Sequence, residues 1–119
     1  MKVKIEHVGG EMVKDDETYQ LFDNNYLKHL TLSQTILKPG KSTRGHSHES
    51  QEEVYIFTSG NATMQIDEEK YPANPGDTFL IKAGQFHRVF NESAIEYCMF
   101  TCVFEKYDRS GSDAIYKNQ

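Results

Sequence analysis

No run of roughly eighteen apolar residues occurs in this 119-residue chain, so nothing in it reads as a membrane-spanning helix. The first seventeen residues, MKVKIEHVGGEMVKDDE, lack the long apolar stretch of a secretory signal, which makes the cytoplasm the expected compartment. Positive charge is scarce: 13 Lys and Arg face 18 Asp and Glu, a net charge of −5, which argues against a nucleic-acid surface. Cysteine is nearly absent. Cys98 and Cys102 are the only two, and four residues apart on one strand their Cα atoms would lie about 13 Å apart. A disulfide reaches no further than about 7 Å, so both are expected as free thiols acting as small buried hydrophobes, consistent with a reducing compartment.

Long helical periodicity is lacking as well, and so is any tandem repeat. Short β-rich runs recur instead, separated by turn signals at spacings of about 8–12 residues, the pattern of an all-β sandwich or barrel. The length suits one domain, expected over 1–106 with the N-terminal strands of 1–37 included, and 107–119 is expected as a polar tail or short helix. Strands are expected at Val3–Val8, Tyr19–Leu21, within Tyr26–Leu37, and at Glu53–Thr58, Ala62–Asp67, Thr78–Ile81, Phe86–Phe90 and Ile95–Phe104. Residues 9–17 read as a glycine pair and a charged loop. The segment Tyr71–Asp77, with two prolines, an asparagine and a glycine, reads as broken.

What is present is a concentration of metal-ligand chemistry between Gly40 and Gly60. His46 and His48 stand at i and i+2. On a strand they share a face; on a helix they would splay about 200° apart. Two convergent imidazoles with a carboxylate nearby suit a divalent transition metal. The residues alone leave the choice between Glu52 and Glu53 open. His87, far along the chain, could join only if the sheet closes.

Gly40, His46, His48, Glu53 and Gly60 follow the spacing glycine, five residues, His-x-His, four residues, glutamate, six residues, glycine. Gly76, Gly84, His87 and Asn91 follow a second pattern, in which Lys82 stands where proline is usual. With these two motifs the chain resembles the cupin superfamily. The resemblance implies a double-stranded β-helix, or jelly-roll barrel, holding one metal in its lumen. It implies His46, His48, Glu53 and His87 as the ligands and selects Glu53 over Glu52. Manganese, iron, nickel, cobalt or zinc would suit that donor set, with about two positions left open on an octahedral ion. The missing proline bears on loop shape, since it ligates nothing.

Strand parity extends the reading. If Glu53 points inward, so do Tyr55 and Phe57, while Val54 and Ile56 face out and need cover from the chain or a second subunit. Cupins commonly pair through this outer sheet, so the resemblance implies a homodimer. Arg44 shares parity with the two histidines and either anchors a carboxylate or phosphate at the lumen mouth or is a solvated surface residue. Tyr55 either moves a proton or fills the lumen wall. Gln51 and Glu52 read as loop polarity, His7 and His29 as surface or satisfied residues, and Phe79, Phe86, Phe90, Phe100 and Phe104 as core. Either face of the 95–104 strand could line the pocket. A small-molecule substrate is expected. Three functions stay open: isomerisation or epimerisation of a sugar or sugar phosphate through a metal-chelated enediolate, iron or manganese dioxygenase or decarboxylase chemistry, and non-catalytic binding of a metal or small molecule.

Overall fold

The computed structural model describes residues 1–106; the 107–119 segment lies outside the described residues. The strands are β1 (Glu11–Asp15), β2 (Tyr19–Asn24), β3 (Leu30–Leu37), β4 (Glu53–Ser59), β5 (Ala62–Ile66), β6 (Glu69–Ala73), β7 (Thr78–Ile81), β8 (His87–Asn91) and β9 (Cys98–Glu105). They form two antiparallel sheets, one ordered β1-β2-β3-β9-β4-β7 and one ordered β6-β5-β8. The all-β jelly roll expected from the sequence is the observed architecture.

Alternation decides what faces inward. Along β4, Glu53, Tyr55 and Phe57 are buried and Val54 and Ile56 only half so. Cross-strand register then settles β9: Tyr55 lies opposite Cys102 and Phe57 opposite Phe100, so Cys98, Phe100, Cys102 and Phe104 line the interior. Both cysteines are buried free thiols. The Phe57 and Phe100 rings pack with centroids 5.3 Å apart, and Leu21, Leu37, Met64 and Val89 complete a dry core. Each such side chain contributes about 1.5–3 kcal/mol on burial.

Several expectations change. Val3–Val8 is not a strand: Glu6–Gly9 form a 3-10 helix lying on the outer face of β2 and β3. The buried amide of Gln34 holds it there, accepting from His7 N at 2.8 Å and donating to Ile5 O at 2.9 Å. His7 stacks on Phe22 with centroids 4.0 Å apart. The supposed charged loop contains β1, whose side chains are mostly exposed because it is the sheet's edge. Tyr71 and Pro72 lie within β6, also an edge, where a proline's missing N–H leaves no ladder bond unmade. Two of the five phenylalanines assigned to the core lie elsewhere. Phe86 is exposed in the turn before β8, and Phe90 faces outward, with Lys70 Nζ 4.9 Å and the Arg88 guanidinium 4.7 Å from its ring centroid.

Candidate metal centre

The segment 41–48 runs antiparallel to β8 and closes the barrel. Thr43 N donates to Val89 O at 2.8 Å, and His46 and His87 exchange both main-chain bonds, at 3.1 and 2.9 Å. Between these two contacts the pairing shifts by one residue. The extra residue is at Gly45, with φ +88°, making a β-bulge. Its effect is to put Thr43 and His46, three apart, on the same inward face. Arg44 is thereby turned out. The parity expected to carry it to the lumen mouth is broken, and it is exposed in an outer cavity of about 160 Å³ with Lys14, Asp16 and Arg88. Beyond the bulge, His48 is again buried, and its carbonyl accepts from Gly84 N.

That last bond comes from the turn where lysine replaces the usual proline. Lys82 O accepts from Gln85 N at 3.1 Å, and Gly84 takes φ +86°, a value that favours glycine. Lys82 N donates to the Gln85 side-chain oxygen at 2.9 Å, a bond proline could not make. The turn forms with lysine in place.

Side chains from three segments meet here. Glu53 Oε1 lies 3.0 Å from His87 Nε2, 3.4 Å from His46 Nε2 and 4.0 Å from His48 Nε2. The three imidazoles and the carboxylate are all buried. His46, Glu53 and His87 each offer one donor atom within 4.8 Å of the others, a cluster suited to a divalent metal. Two local facts support the fit. His87 Nδ1 is 3.0 Å from Gln85 O; a carbonyl only accepts, so Nδ1 carries a proton and Nε2 is the ring atom turned to Glu53. Glu53 Oε1 and His87 Nε2 face each other at 3.0 Å, a gap that a proton on Nε2 bridges and that also suits an ion, since donors about 2.1 Å from one ion lie about 3.0 Å apart at right angles and about 3.4 Å apart in a tetrahedron. In addition, Glu53 Oε2 is buried without a hydrogen-bond partner among the described residues.

Burial alone would push the Glu53 carboxyl up; hydrogen bonds and charge from His46 and His87 outweigh it and hold the group below the ordinary carboxylate value. The carboxylate is therefore ready as an anionic donor. Tyr55, two residues along the same face, is buried beside it, its ring centroid 5.4 Å from His87 and 5.4 Å from Phe100. Glu52 is exposed on the outside with Val54, Leu80 and Lys82. His7 and His29 are exposed and take no part.

Two contributors were not picked out from sequence. Gln85 orients His87 through its carbonyl. Asn91 was visible only as a motif letter; its buried Nδ2 donates to Leu37 O, Lys38 O and Glu96 O at 3.1, 3.2 and 2.8 Å, tying β8 to the ends of β3 and of the loop before β9.

Fold and site together define a small jelly-roll barrel with a buried His and Glu donor cluster at one end of its lumen. The chain belongs to the cupin family: the Cupin domain model matches residues 33–104, more than half its length. An uncharacterised protein of Methanocaldococcus jannaschii is 26% identical over 85 residues, covering 71% of this chain and 68% of that one. Among solved structures, a sugar phosphate isomerase of the cupin superfamily from Silicibacter pomeroyi superposes with a TM-score of 0.72 at 19% identity, covering 90% of this chain and 76% of that one. A predicted oxalate decarboxylase from Thermotoga maritima gives 0.69 at 19%, covering 90% and 100%. Likeness at this identity bears on the fold.

Proposed function

We propose that this chain is a metal-dependent enzyme acting on a small oxygen-rich metabolite, an isomerase or epimerase of a sugar or sugar phosphate. The observation that carries it is the facing of Glu53 Oε1 and His87 Nε2 at 3.0 Å inside a buried ring of imidazoles. His46, His48, Glu53 and His87 would hold the ion, which supplies Lewis acidity toward adjacent substrate oxygens when bound. Tyr55 packs against His87, and its hydroxyl would carry the proton. Arg44, turned outward, has no part in the lumen.

Phe57 and Met64, which would suit an apolar substrate, are sealed in the core at 1% and 0% exposure. The test is solvent deuterium incorporation into a panel of aldose and ketose phosphates by manganese-loaded protein. Label in a substrate carbon, abolished by Tyr55→Phe, supports the proposal. Absence of label across the panel, with oxygen uptake by iron-loaded protein on an enol or dicarboxylate, overturns it in favour of the oxygenase.

We further propose that two copies pair through the outer face of β9, β4 and β7. Val54, Ile56, Met99 and Val103 are only half-buried there and Leu80 is 72% exposed, while the N-terminal 3-10 helix lies on β2 and β3. Glu52 and Lys82 flank the apolar patch, so a two-fold pairing could match each acid with the other copy's base. Light scattering should give twice the chain mass, and Leu80→Glu should halve it. A wild-type mass of one chain refutes the pairing.

A further inference from the structure

The interior wall of the six-stranded sheet is built in rows set by register. Nearest the donor cluster, Glu53, Phe104 and Thr31 stand side by side. The next row is Tyr55, Cys102, Ser33 and Asp23, and the next is Phe57, Phe100, Thr35 and Leu21. The middle row is the polar one, and it ends in a carboxylate. Asp23 shares its inward parity with Tyr19 and Leu21, both core residues, and is 5% exposed. Asp23 Oδ1 and Ser33 Oγ, on directly opposed residues of β2 and β3, are both buried, and among the described residues neither meets a hydrogen-bond partner beyond the other. Burying such atoms is unfavourable unless a hydrogen bond meets them. Burial raises the Asp23 carboxyl above its ordinary value, and the hydrogen bond with Ser33 offsets only part of that. Neither residue belongs to the metal-ligand set.

We propose that Asp23 and Ser33 form a specificity subsite that accepts hydroxyl groups of the substrate at the end remote from the metal. It rests on the metal-chelate reading of the site above. In a flat sheet, three strand spacings and two residues would separate the Cα atoms of Asp23 and Glu53 by about 16 Å. The wall curves around the lumen and both side chains point into it, so the two groups approach across the interior. A polyol chelated at one end would lay its later hydroxyls toward the carboxylate and the serine hydroxyl. These groups can take up hydroxyl protons and donate one, whereas an apolar substrate would leave them unmet.

The test uses glycolate, D-glycerate and D-gluconate as probes, titrated into manganese-loaded protein by calorimetry. All three offer a carboxylate and an adjacent hydroxyl; they differ in the hydroxyls beyond. Wild type should bind gluconate at least about tenfold more tightly than glycolate, the gain of about two good hydrogen bonds. Asp23→Leu should abolish that ratio and leave glycolate within twofold. Asp23→Asn and Ser33→Ala, close to isosteric, should each reduce the ratio about threefold or more, and they decide the matter if the leucine variant fails to fold. A wild-type ratio near one, or a ratio unchanged in the folded variants, overturns the subsite while leaving the metal reading intact. No binding of glycolate, which is too short to meet Asp23, overturns the metal-chelate reading and the subsite with it. The free Asp23→Asn protein should melt at or above the wild-type temperature; a marked drop would show a structural residue and overturn the proposal.

Discussion

His46 and His87, forty-one positions apart in the chain, exchange both of their main-chain hydrogen bonds and hold their imidazole centroids 4.2 Å apart. The ladder that closes the barrel is therefore also the device that sets two donors side by side. Their positions are fixed by backbone, before any ion contributes.

Prebuilt donors make metal affinity sensitive to chemistry more than to shape. Glu53→Gln keeps the outline and removes the charge, and His87→Ala removes the donor whose tautomer Gln85 fixes. Losing an outer-shell partner typically costs about 10–100-fold in metal affinity, so losing a direct donor should cost at least about 100-fold. Competition against a chelator of known affinity measures it. Equal retention by wild type and His87→Ala would show that the cluster is not the site.

Gly45 sets the phase of His46. A Cβ there would lie 2.5 Å from Phe86 Cζ, and the residue sits at φ +88°. Gly45→Ala should therefore cost about 1–3 kcal/mol in urea unfolding. It should also weaken metal binding, because relaxing the bulge would turn His46 away. Removing Phe86 in the same chain would relieve the contact and leave the φ penalty, so Gly45→Ala/Phe86→Ala should recover only part of the loss.

The Asn91 Nδ2 group faces three carbonyls, while its Oδ1 accepts from Ser93 N. Asn91→Asp would set an acceptor-only carboxylate against Leu37 O, Lys38 O and Glu96 O. The expected destabilisation is about 3–5 kcal/mol, as for an uncompensated buried charge. The loss should shrink at acid pH, where the protonated carboxyl regains a donor. Denaturant unfolding at two pH values checks both statements.

Asp23 gives a stability change with a definite sign. Its carboxyl is raised in the folded chain by burial, so between the unfolded and folded values the native state binds more protons. Stability then falls as pH rises through that interval, and above it the full penalty applies. Asp23→Asn should be more stable than wild type near neutrality, and the difference should vanish as pH drops below the ordinary aspartate value of 3.8. Thermal melts of the metal-free proteins across pH report it, and a difference independent of pH would contradict the assigned burial.

Much of this was legible in the chain because the informative residues carry local period. His46, His48 and Glu53 announced a strand face and an acid, and the second glycine-histidine-asparagine pattern supplied His87. Arg44 was misplaced because one glycine at positive φ reverses parity, and alternation alone does not say which Gly in a loop makes a bulge. β1 was missed because Glu11–Asp15 is an exposed edge and reads as charged loop. Pro72 looked like a breaker, and it is one only for a strand paired on both sides. The faces of β9 could not be told apart by composition, since Met99 and Val103 are as apolar as Phe100; pairing with β4 decided them. Asp23 escaped notice because FDNN reads as the start of a turn, while the residue belongs to the inward face of a six-residue strand.

The exchange of bonds between His46 and His87 has a consequence for the life of the chain. A newly made polypeptide carries His46 and His48 together on any extended stretch, enough to catch an ion loosely and release it. His87 joins them and Glu53 only when the segment 41–48 pairs with β8. Firm retention would thus be a property of the finished barrel: an ion that stayed bound would certify that folding is complete, and by binding only that state it would shift the balance against every half-made form.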